Sequence, residues 1–255
     1  MIRKVLVFIF LFFISAFMLF ADDYKTLLEE VDSLASFMDS DFSAKYTIVQ
    51  EIPGEGRKTT VAAVFRRDNK KIYSIIIMEP AETKGQGYLK QDKTLWFYDP
   101  ESRVYNSTSS KERFQNSNAR NSDFTMSTLS QDYEIVASGK EKLGQYNCII
   151  LFLEANNDEV TYPIMKIWIS EDKLVRKTED YSLSNQLLRT TLFPSYQKKG
   201  NKQIPFKVLM IDNLEGAAIN GKFENEKTQL TIENPSLDDL PDIVFSKSFL
   251  EKMGD

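Results

Sequence analysis

Histidine is absent from the chain of 255 residues, and cysteine occurs once. Without histidine there can be no Ser-His-Asp or Cys-His nucleophile, no histidine proton shuttle and no histidine-ligated metal. Cys148 lies in an apolar stretch and has no partner for an internal disulfide or a thiolate cluster, so packing must supply the stability. We therefore expect neither a metal nor another cofactor.

The charge balance is mildly acidic, with 37 acidic against 32 basic residues and a formal net charge of −5. This balance argues against binding to a nucleic-acid backbone, which needs a basic face. Hydrophobic residues make up 42% of the chain and aromatic residues 12%, which is enough for a sizeable core and excludes global disorder. No linker, repeat or shift in composition divides the chain, so we predict a single domain over residues 22–255.

The N-terminus has the order of a secretory signal. Arg3 and Lys4 form a short basic segment, Val5–Phe20 is an apolar run, and small and acidic residues follow from Ala21. This order predicts a signal peptide over residues 1–21 that is cleaved after Ala21. The alternative is a retained inner-membrane anchor, although the run is shorter than most spanning helices. Either way, we expect the body of the protein to lie outside the cytoplasm.

One long amphipathic helix is predicted at the start of the mature chain, over Asp22–Phe42. Its apolar residues recur with the period of a helix and form one stripe: Leu27, Leu28, Val31, Leu34, Ala35 and Met38. Such a stripe must pack against another apolar surface.

From Ala44 onward the hydrophobic period changes to two, which predicts strands. Twelve strands are predicted, separated by turn residues: Ala44–Glu51, Thr59–Arg67, Lys71–Met78, Gly87–Gln91, Thr94–Tyr98, Tyr133–Lys140, Gln145–Leu153, Ile164–Ser170, Val175–Ser182, Leu187–Phe193, Ile204–Asp212 and Thr228–Glu233. Many short strands joined by hairpin-length loops indicate a mainly β (α+β) fold with a large curved antiparallel sheet that curls toward a barrel.

Several strands are apolar on both faces, most clearly Ile72–Met78 and Gln145–Leu153. An antiparallel sheet with one solvated face should instead alternate apolar and polar residues. The pattern leaves two arrangements open. Either the sheet closes and fills its own interior, or part of its concave face is left for an apolar ligand.

The segment Asn106–Asp123 differs from the rest because it is rich in Ser, Thr, Asn and Gln and shows no period. Ser122 or Asp123 is placed to cap a short helix that would present Phe124, Met126 and Leu129. A long polar segment that ends in a small apolar helix is typical of a lid, and it is equally typical of a plain surface loop. At the C-terminus, Ser246 is predicted to cap a last helix that docks through three apolar residues: Phe249, Leu250 and Met253.

No sequence motif of a known catalytic, nucleotide-binding or metal site is present. Two Ser-x-x-Lys spacings, Ser170/Lys173 and Ser195/Lys198, fall in polar turns where the lysine would be solvated and protonated. We therefore predict no catalytic residue.

A series of short segments resembles one known family in order and spacing. The segments are Gly87-Tyr88-Leu89, Leu95-Trp96-Phe97-Tyr98-Asp99-Pro100, Asn121-Ser122-Asp123-Phe124 with Leu129, Asp132-Tyr133, Tyr162 with Lys166-x-Trp168-Ile169, Lys177–Tyr181, Pro205 with Met210, and Phe245 with Leu250. Together they resemble the outer-membrane lipoprotein-sorting (LolA-like) family over nearly all of residues 44–253.

The resemblance implies a half-open barrel of antiparallel strands, helices over its concave side and an apolar cavity between them. It also implies a periplasmic carrier of acylated cargo, either a lipoprotein or a phospholipid, that meets partner proteins at the inner and outer membranes and binds no nucleic acid. The best known carriers of the family latch their lid with an arginine. Arg66, Arg67 and Arg120 are available here, but none of them aligns with that role.

The candidate site residues are apolar. The predicted cavity lining is Phe65, Tyr73, Ile75, Ile77, Trp96, Tyr98, Ile150, Phe152, Trp168 and Leu192. The predicted lid residues are Leu27, Val31, Leu34, Phe124, Met126 and Leu129. Two other hypotheses stay open: a lipid-acting hydrolase that uses the same cavity, and an envelope module that fills its own barrel and binds partner proteins.

Overall fold

Thirteen antiparallel strands form one continuous sheet in the computed structural model, which describes residues 23–254. The predicted signal over residues 1–21 lies outside the described residues. The strands before the long polar segment are β1 (Phe42–Ile52), β2 (Gly56–Arg67), β3 (Ile72–Glu79), β4 (Gly87–Gln91), β5 (Thr94–Asp99) and β6 (Val104–Thr108). Those after it are β7 (Tyr133–Leu143), β8 (Tyr146–Ala155), β9 (Ile164–Ser170), β10 (Val175–Tyr181), β11 (Leu187–Lys199), β12 (Lys202–Ile219) and β13 (Lys222–Ser236).

The sheet is two meanders joined at their centre. The order is β6-β5-β4-β3-β2-β1-β13-β12-β11-β10-β9-β8-β7, so the last strand pairs with the first, with Tyr46 opposite Ile232. The sheet is curved and does not close, and β6 and β7 remain as its edges. The predicted fold class is confirmed, and closure into a filled barrel, one of the two arrangements left open, does not occur.

Each of the twelve predicted strands overlaps a strand of the structure, and one strand was missed. β6 overlaps the start of the region that had no visible period. Val104 is 45% exposed, and Tyr105 is the one apolar residue of the strand that packs against the sheet. An edge strand with so little buried surface carries no clear alternating pattern.

The first helix, α1, covers residues 23–35 of the described chain and ends before the predicted Phe42, which is the first residue of β1. The chain leaves the helix because Phe37 and Phe42 stack with ring centroids 4.3 Å apart, and because the Phe37 amide donates to Asp68 at 2.8 Å. Met38 therefore lies beyond the helix, 47% exposed, and is not part of the buried stripe.

Two short helices follow, α2 (Leu129–Asp132) and α3 (Lys247–Gly254). The predicted cap of the last helix is confirmed, since the Phe249 amide donates to Ser246 Oγ at 3.2 Å. Leu250 is fully buried against the sheet, but Met253 is 41% exposed and does not dock as expected. No helix in the part of the chain described here is long and apolar enough to cross a membrane.

The two faces of the sheet have different coverings. We call the face that packs against α1 and the β6–β7 connection the inner face, and the opposite one the outer face. On the outer face, α3 covers a cluster of buried residues from β3 to β5 by means of Leu250: Ile76, Leu89 and Tyr98. A second outer-face cluster lies on β8 and β9: Cys148, Ile150 and Trp168. Burial raises the pKa of the Cys148 thiol, which favours the inert, neutral form.

Docking of α3 depends on a glycine in β4. A Cβ placed on Gly87 would lie 2.9 Å from Leu250 Cδ2 and 3.2 Å from the Ile75 carbonyl oxygen. We expect Gly87→Ala to lower the free energy of unfolding by about 1–3 kcal/mol, because the added methyl group overpacks this contact. Urea denaturation measures the change. Gly139→Ala is the matched control, because no heavy atom lies within 4 Å of the added Cβ; an equal loss in both variants would contradict the explanation.

A buried ion pair ties the α1–β1 loop to the end of β2. Arg67 donates through Nη2 to Asp41 Oδ2 at 2.7 Å, and its hydrogen bond holds the pKa of Asp41 below the ordinary value. A lowered pKa in the folded state stabilises the protein above the ordinary pKa of the group, and this contribution is lost as the pH falls.

We therefore expect Asp41→Asn to lower the free energy of unfolding by about 1.5–3 kcal/mol at pH 7, as for other hydrogen bonds to charged groups. The difference in stability between the two proteins should narrow as the pH falls below about 4, because Asp41 is then protonated in the unfolded wild-type chain while its lowered pKa keeps it charged in the folded one. Urea titrations at pH 7 and pH 3.5 measure both values. The exposed Asp239 provides a control, Asp239→Asn, and a gap that does not depend on pH would count against the ion pair.

Candidate functional site

The inner face is a continuous apolar surface across the first strands of the sheet. The strand register places Ala44 opposite Val64, Val64 opposite Ile75, and Ile75 opposite Tyr88. The surface continues on the strands of the other meander through further buried residues: Ile204, Val208, Met210, Leu230 and Ile232. An apolar surface of this extent has to be covered by something other than the sheet, because the sheet does not close.

The covering is the connection between β6 and β7, residues 109–132, which we call the cover. It contains two 3₁₀ turns, Phe114–Asn116 and Asn121–Phe124, and ends in α2. The cover places Phe114, Ala119 and Phe124 on the inner face, all three fully buried. In this state the protein's own side chains occupy the surface that the sequence assigned to a ligand.

Aromatic rings carry the contact between the cover and the sheet. The rings of Phe114 and Phe124 lie 4.4 Å apart, Phe114 lies 4.8 Å from Tyr88, and Phe124 lies 5.6 Å from Tyr46. Each fully buried phenylalanine contributes roughly 1.5–3 kcal/mol. The two rings, which we call the aromatic plug, therefore contribute a moderate part of the free energy that holds the cover on the sheet.

Ion pairs hold the cover at its margin. Arg189 of β11 donates through Nη1 and Nη2 to the two carboxylate oxygens of Asp123, at 2.6 and 3.1 Å, and through Nε to Asp180 of β10 at 2.9 Å. Arg113 of the cover lies 2.5 Å from Asp212 of β12 and 3.7 Å from Glu226 of β13. Burial raises the pKa of Asp180, while Arg189 beside it opposes the rise.

The turn of the cover next to Phe114 has an unfavourable backbone. Gln115 and Asn116 follow one another with φ values of 49° and 59°, in the left-handed region that residues with a Cβ rarely adopt. This conformation costs a residue such as Gln115 roughly 1–2 kcal/mol, whereas asparagine adopts it more readily. Their hydrogen bonds hold the turn, from Gln115 Nε2 to Tyr88 Oη at 3.2 Å and from Gln50 Nε2 to the Asn116 carbonyl at 3.0 Å. The strain lowers the cost of lifting this end of the cover.

Helix α1 covers the remaining part of the inner face. Leu28 and Val31 pack against buried residues of β8 and β9: Leu151, Leu153, Ile167 and Ile169. At the end of α1, Arg66 of β2 donates to the Ala35 carbonyl at 3.4 Å and to Asp68 at 2.6 Å. Of the three arginines that the sequence offered for a latch, Arg66 is the one that contacts the end of this helix.

Asp32 joins α1 to the cover. One carboxylate oxygen accepts from the Ser127 hydroxyl at 2.5 Å and the Leu129 amide at 3.0 Å, and the other accepts from the Ser130 amide and hydroxyl at 2.8 and 2.7 Å. A groove of about 990 Å³ runs along this junction, with polar and apolar residues of α1, the cover and β7 in its walls. A second hollow of about 700 Å³ lies at the Arg113 end of the cover.

The predicted lining residues do not share one surface. Three of them lie on the inner face under the cover: Tyr73, Ile75 and Ile77. Of the others, Phe65 packs edge-on against Phe249 of α3, and Trp96 and Tyr98 belong to the outer-face cluster beneath that helix. Ile150 and Trp168 lie in the other outer-face cluster, Phe152 is 38% exposed, and Leu192 pairs with Leu209 on β12. Strand alternation explains the split, because one step along a strand changes the face.

The predicted lid residues all lie in α1 or the cover. Val31 and Phe124 are buried on the inner face, Leu27 and Leu129 pack against the cluster under α1, and Leu34 is partly buried. Met126 lies in the wall of the groove. The helix expected directly after Ser122 is instead the 3₁₀ turn Asn121–Phe124, and α2 begins only at Leu129.

The serine–lysine spacing at Ser170 and Lys173 does not form a pair. The Ser170 hydroxyl donates to Asp172 at 2.5 Å, and Lys173 Nζ lies 2.6 Å from Glu30 Oε1. The polar residues that do matter to the cover, Arg189 and Asp180, were not singled out from the sequence. The sequence feature that could have revealed them is a charged residue at a strand position that faces the interior, where apolar residues are usual.

Comparisons with known proteins agree with this architecture. A protein-family model described as "Uncharacterized protein" matches residues 69–252. The chain belongs to this family and has the LolA-like fold. The fold that the sequence resemblance implied is thus confirmed. No curated protein matches the chain in sequence.

Three solved structures show the LolA-like fold most clearly. A LolA superfamily protein from Nitrosomonas europaea shares 24% identity, with 88% of this chain and 97% of that one covered and a TM-score of 0.73. A DUF1329 family protein from Desulfovibrio piger shares 19% identity, with coverages of 90% and 98% and a TM-score of 0.78. A putative outer membrane lipoprotein-sorting protein domain from Vibrio parahaemolyticus shares 16%, with coverages of 89% and 97% and a TM-score of 0.75.

The junction at Asp32 gives a test of how the cover is held. We expect Asp32→Ala to lower the hydrogen-exchange protection of the Leu129 and Ser130 amides about tenfold or more, because both lose their acceptor at a cost of about 1–3 kcal/mol. The control is Asp39→Ala, since Asp39 is exposed in the wall of the same groove and makes no hydrogen bond to the residues described. Unchanged protection in the Asp32 variant would mean that apolar packing alone holds α2.

Proposed function

We propose that this protein is a periplasmic, non-catalytic carrier that holds the acyl chains of a phospholipid or a lipoprotein on its inner face and moves them between the envelope membranes. The observation that carries the proposal is that a separable segment of 24 residues (109–132), rather than another layer of the sheet, covers the apolar inner face. An acyl chain would replace the aromatic plug on the same surface. The secretory signal predicted from the sequence supports the location. The similarity of the fold to a putative outer membrane lipoprotein-sorting protein domain supports the cargo.

The free energies favour such an exchange. Burial of a hydrocarbon chain gains about 0.8 kcal/mol per methylene relative to water, so a chain of about fourteen methylenes gains about 11 kcal/mol. The plug of Phe114 and Phe124 is worth roughly 3–6 kcal/mol by the same measure. A bound chain can therefore keep the cover displaced, and loss of the chain to a membrane lets the cover return. A carrier needs both steps.

Lipid extraction tests the proposal directly. Protein purified from its native envelope should yield phospholipid or acylated peptide when an organic extract is examined by mass spectrometry, because acyl chains held on the inner face are shielded from water and stay bound during purification. The purified protein should also take up a fluorescent fatty-acyl probe. Clean extracts together with no uptake would overturn the proposal in favour of an interaction module that fills its own interior.

Removal of the plug provides a sharper test. We expect Phe114→Ala to raise the affinity for the fluorescent fatty-acyl probe about tenfold or more, because the probe then competes with one buried ring instead of two. Phe152→Ala, the same change on the outer face, should leave the affinity unaltered. Equal effects of the two substitutions would show that the probe binds elsewhere.

A further inference from the structure

We propose that Arg189 binds the phosphodiester headgroup of a phospholipid, and that the Asp123 carboxylate takes the place of this phosphate when the cover is closed. The inference rests on the carrier function proposed above and selects phospholipid over lipoprotein as the cargo. The closed cover thus imitates the ligand. Asp123 takes the position of the phosphate on Arg189, and the apolar side chains of the cover take the position of the acyl chains on the inner face.

The contact between Arg189 and Asp123 has the geometry of an anion site. The two terminal nitrogens of Arg189 meet the two oxygens of one carboxylate, at 2.6 and 3.1 Å, while Nε stays with Asp180. A guanidinium binds phosphate oxygens with the same forked pattern. A carboxylate and a phosphodiester also carry the same single negative charge, so the exchange leaves the charge balance around Arg189 unchanged.

The apolar group that imitates an acyl chain follows Asp123 directly in the chain. Phe124 is the next residue after Asp123, and its ring packs between Phe114 and Tyr46 on the inner face. Arg189 itself reaches the edge of this apolar surface, since its Nη1 lies 3.8 Å from Met210 Sδ. An anionic group on Arg189 is therefore adjacent to the surface proposed for acyl chains, as a headgroup is adjacent to its chains.

A buried polar atom of the sheet beside Arg189 is not satisfied by the cover. Thr191 Oγ1, on the strand of Arg189, has no hydrogen-bond partner among residues 23–254. Thr191 is 2% exposed, and a buried hydroxyl without a partner is uncommon. A phosphodiester offers more acceptor oxygens than a carboxylate. Asp180 Oδ1 is equally unpaired within the described chain and suits a hydroxyl or ammonium group of the same headgroup.

The simpler explanation is that Arg189 and Asp123 only fasten the cover. The two explanations differ for a lipid that has acyl chains but no phosphate. If Arg189 only fastens the cover, its removal changes the affinity for every apolar ligand equally. If Arg189 binds the headgroup, its removal lowers the affinity for lipids with a phosphodiester relative to lipids without one.

Binding of matched lipids to the full-length mature protein separates these cases. The probes are phosphatidylglycerol and diacylglycerol with the same fluorescent acyl chain, and glycerophosphoglycerol as the headgroup without chains. Asp123→Asn removes the internal anion but keeps an oxygen that can accept from the Arg120 amide, as Asp123 does at 2.6 Å. We expect it to raise the affinity for both lipids equally, because opening the cover no longer breaks the pair with Arg189 for either of them. The wild-type protein, in which Arg189 meets the phosphate, should bind phosphatidylglycerol about tenfold more tightly than diacylglycerol.

Two further variants complete the test. Asp212→Asn loosens the other tie of the cover, to Arg113, and should raise the affinity for both lipids equally. The double variant Arg189→Gln with Asp180→Asn removes the arginine together with its fully buried partner, and it leaves only the partly exposed Asp123 carboxylate, which still accepts from the Arg120 amide. It should bind phosphatidylglycerol no more tightly than diacylglycerol. A folded double variant that keeps its preference for phosphatidylglycerol would overturn the assignment.

The remaining outcomes are also decisive. Equal affinities of the wild-type protein for the two lipids would show that the pair is only a fastener, and the carrier function would stand without the headgroup site. Glycerophosphoglycerol should compete weakly, and tight binding of it would assign Arg189 to free phosphate esters instead. If wild type and variants all bind neither lipid, the carrier function fails together with this inference.

Discussion

A wide antiparallel sheet whose edges do not meet has to find a covering for its apolar inner face, and the rest of the molecule follows from this constraint. The covering comes from α1 and from residues 109–132, which are not strands. Because the covering belongs to no ladder of the sheet, its removal breaks no interstrand hydrogen bond. The sheet can thus stay intact while its inner surface changes from covered to open, a combination that a closed barrel does not allow.

The cover is held by two kinds of interaction with opposite properties. The packing of Phe114 and Phe124 stabilises the closed cover by apolar burial, which does not depend on direction. The hydrocarbon chain of a ligand can therefore replace it. The pairs of Arg189 with Asp123 and of Arg113 with Asp212 are directional. When they break, Arg189 keeps Asp180 as its one remaining carboxylate, and Asp212 loses the guanidinium of Arg113. A ligand with both a chain and an anionic group would replace both kinds at once. Under the proposed carrier function, a phospholipid is therefore the ligand that opens the cover at the lowest cost in free energy.

Much of the fold was predictable from the sequence, and the face assignment was not. Period-two patterns located twelve strands, and turn residues separated them correctly, because both signals are local. Which side of a strand faces inward depends on distant elements, so Tyr73 and Trp96 were grouped together although they lie on opposite faces. The importance of Arg189 could not be read locally either, because its partners, Asp123 and Asp180, come from a loop and a neighbouring strand.

The pairing of β1 with β13 brings together parts of the chain that are far apart, such as Tyr46 and Ile232. This central ladder is the one pairing in the described sheet between strands that are distant in sequence, so its closure costs the most chain entropy and we expect it to form late. A nascent chain would expose the unpaired edge of β1 until its final strand had been synthesised. Such a protein benefits from being kept extended until its last residues are available, which is the condition that passage through a membrane in unfolded form imposes.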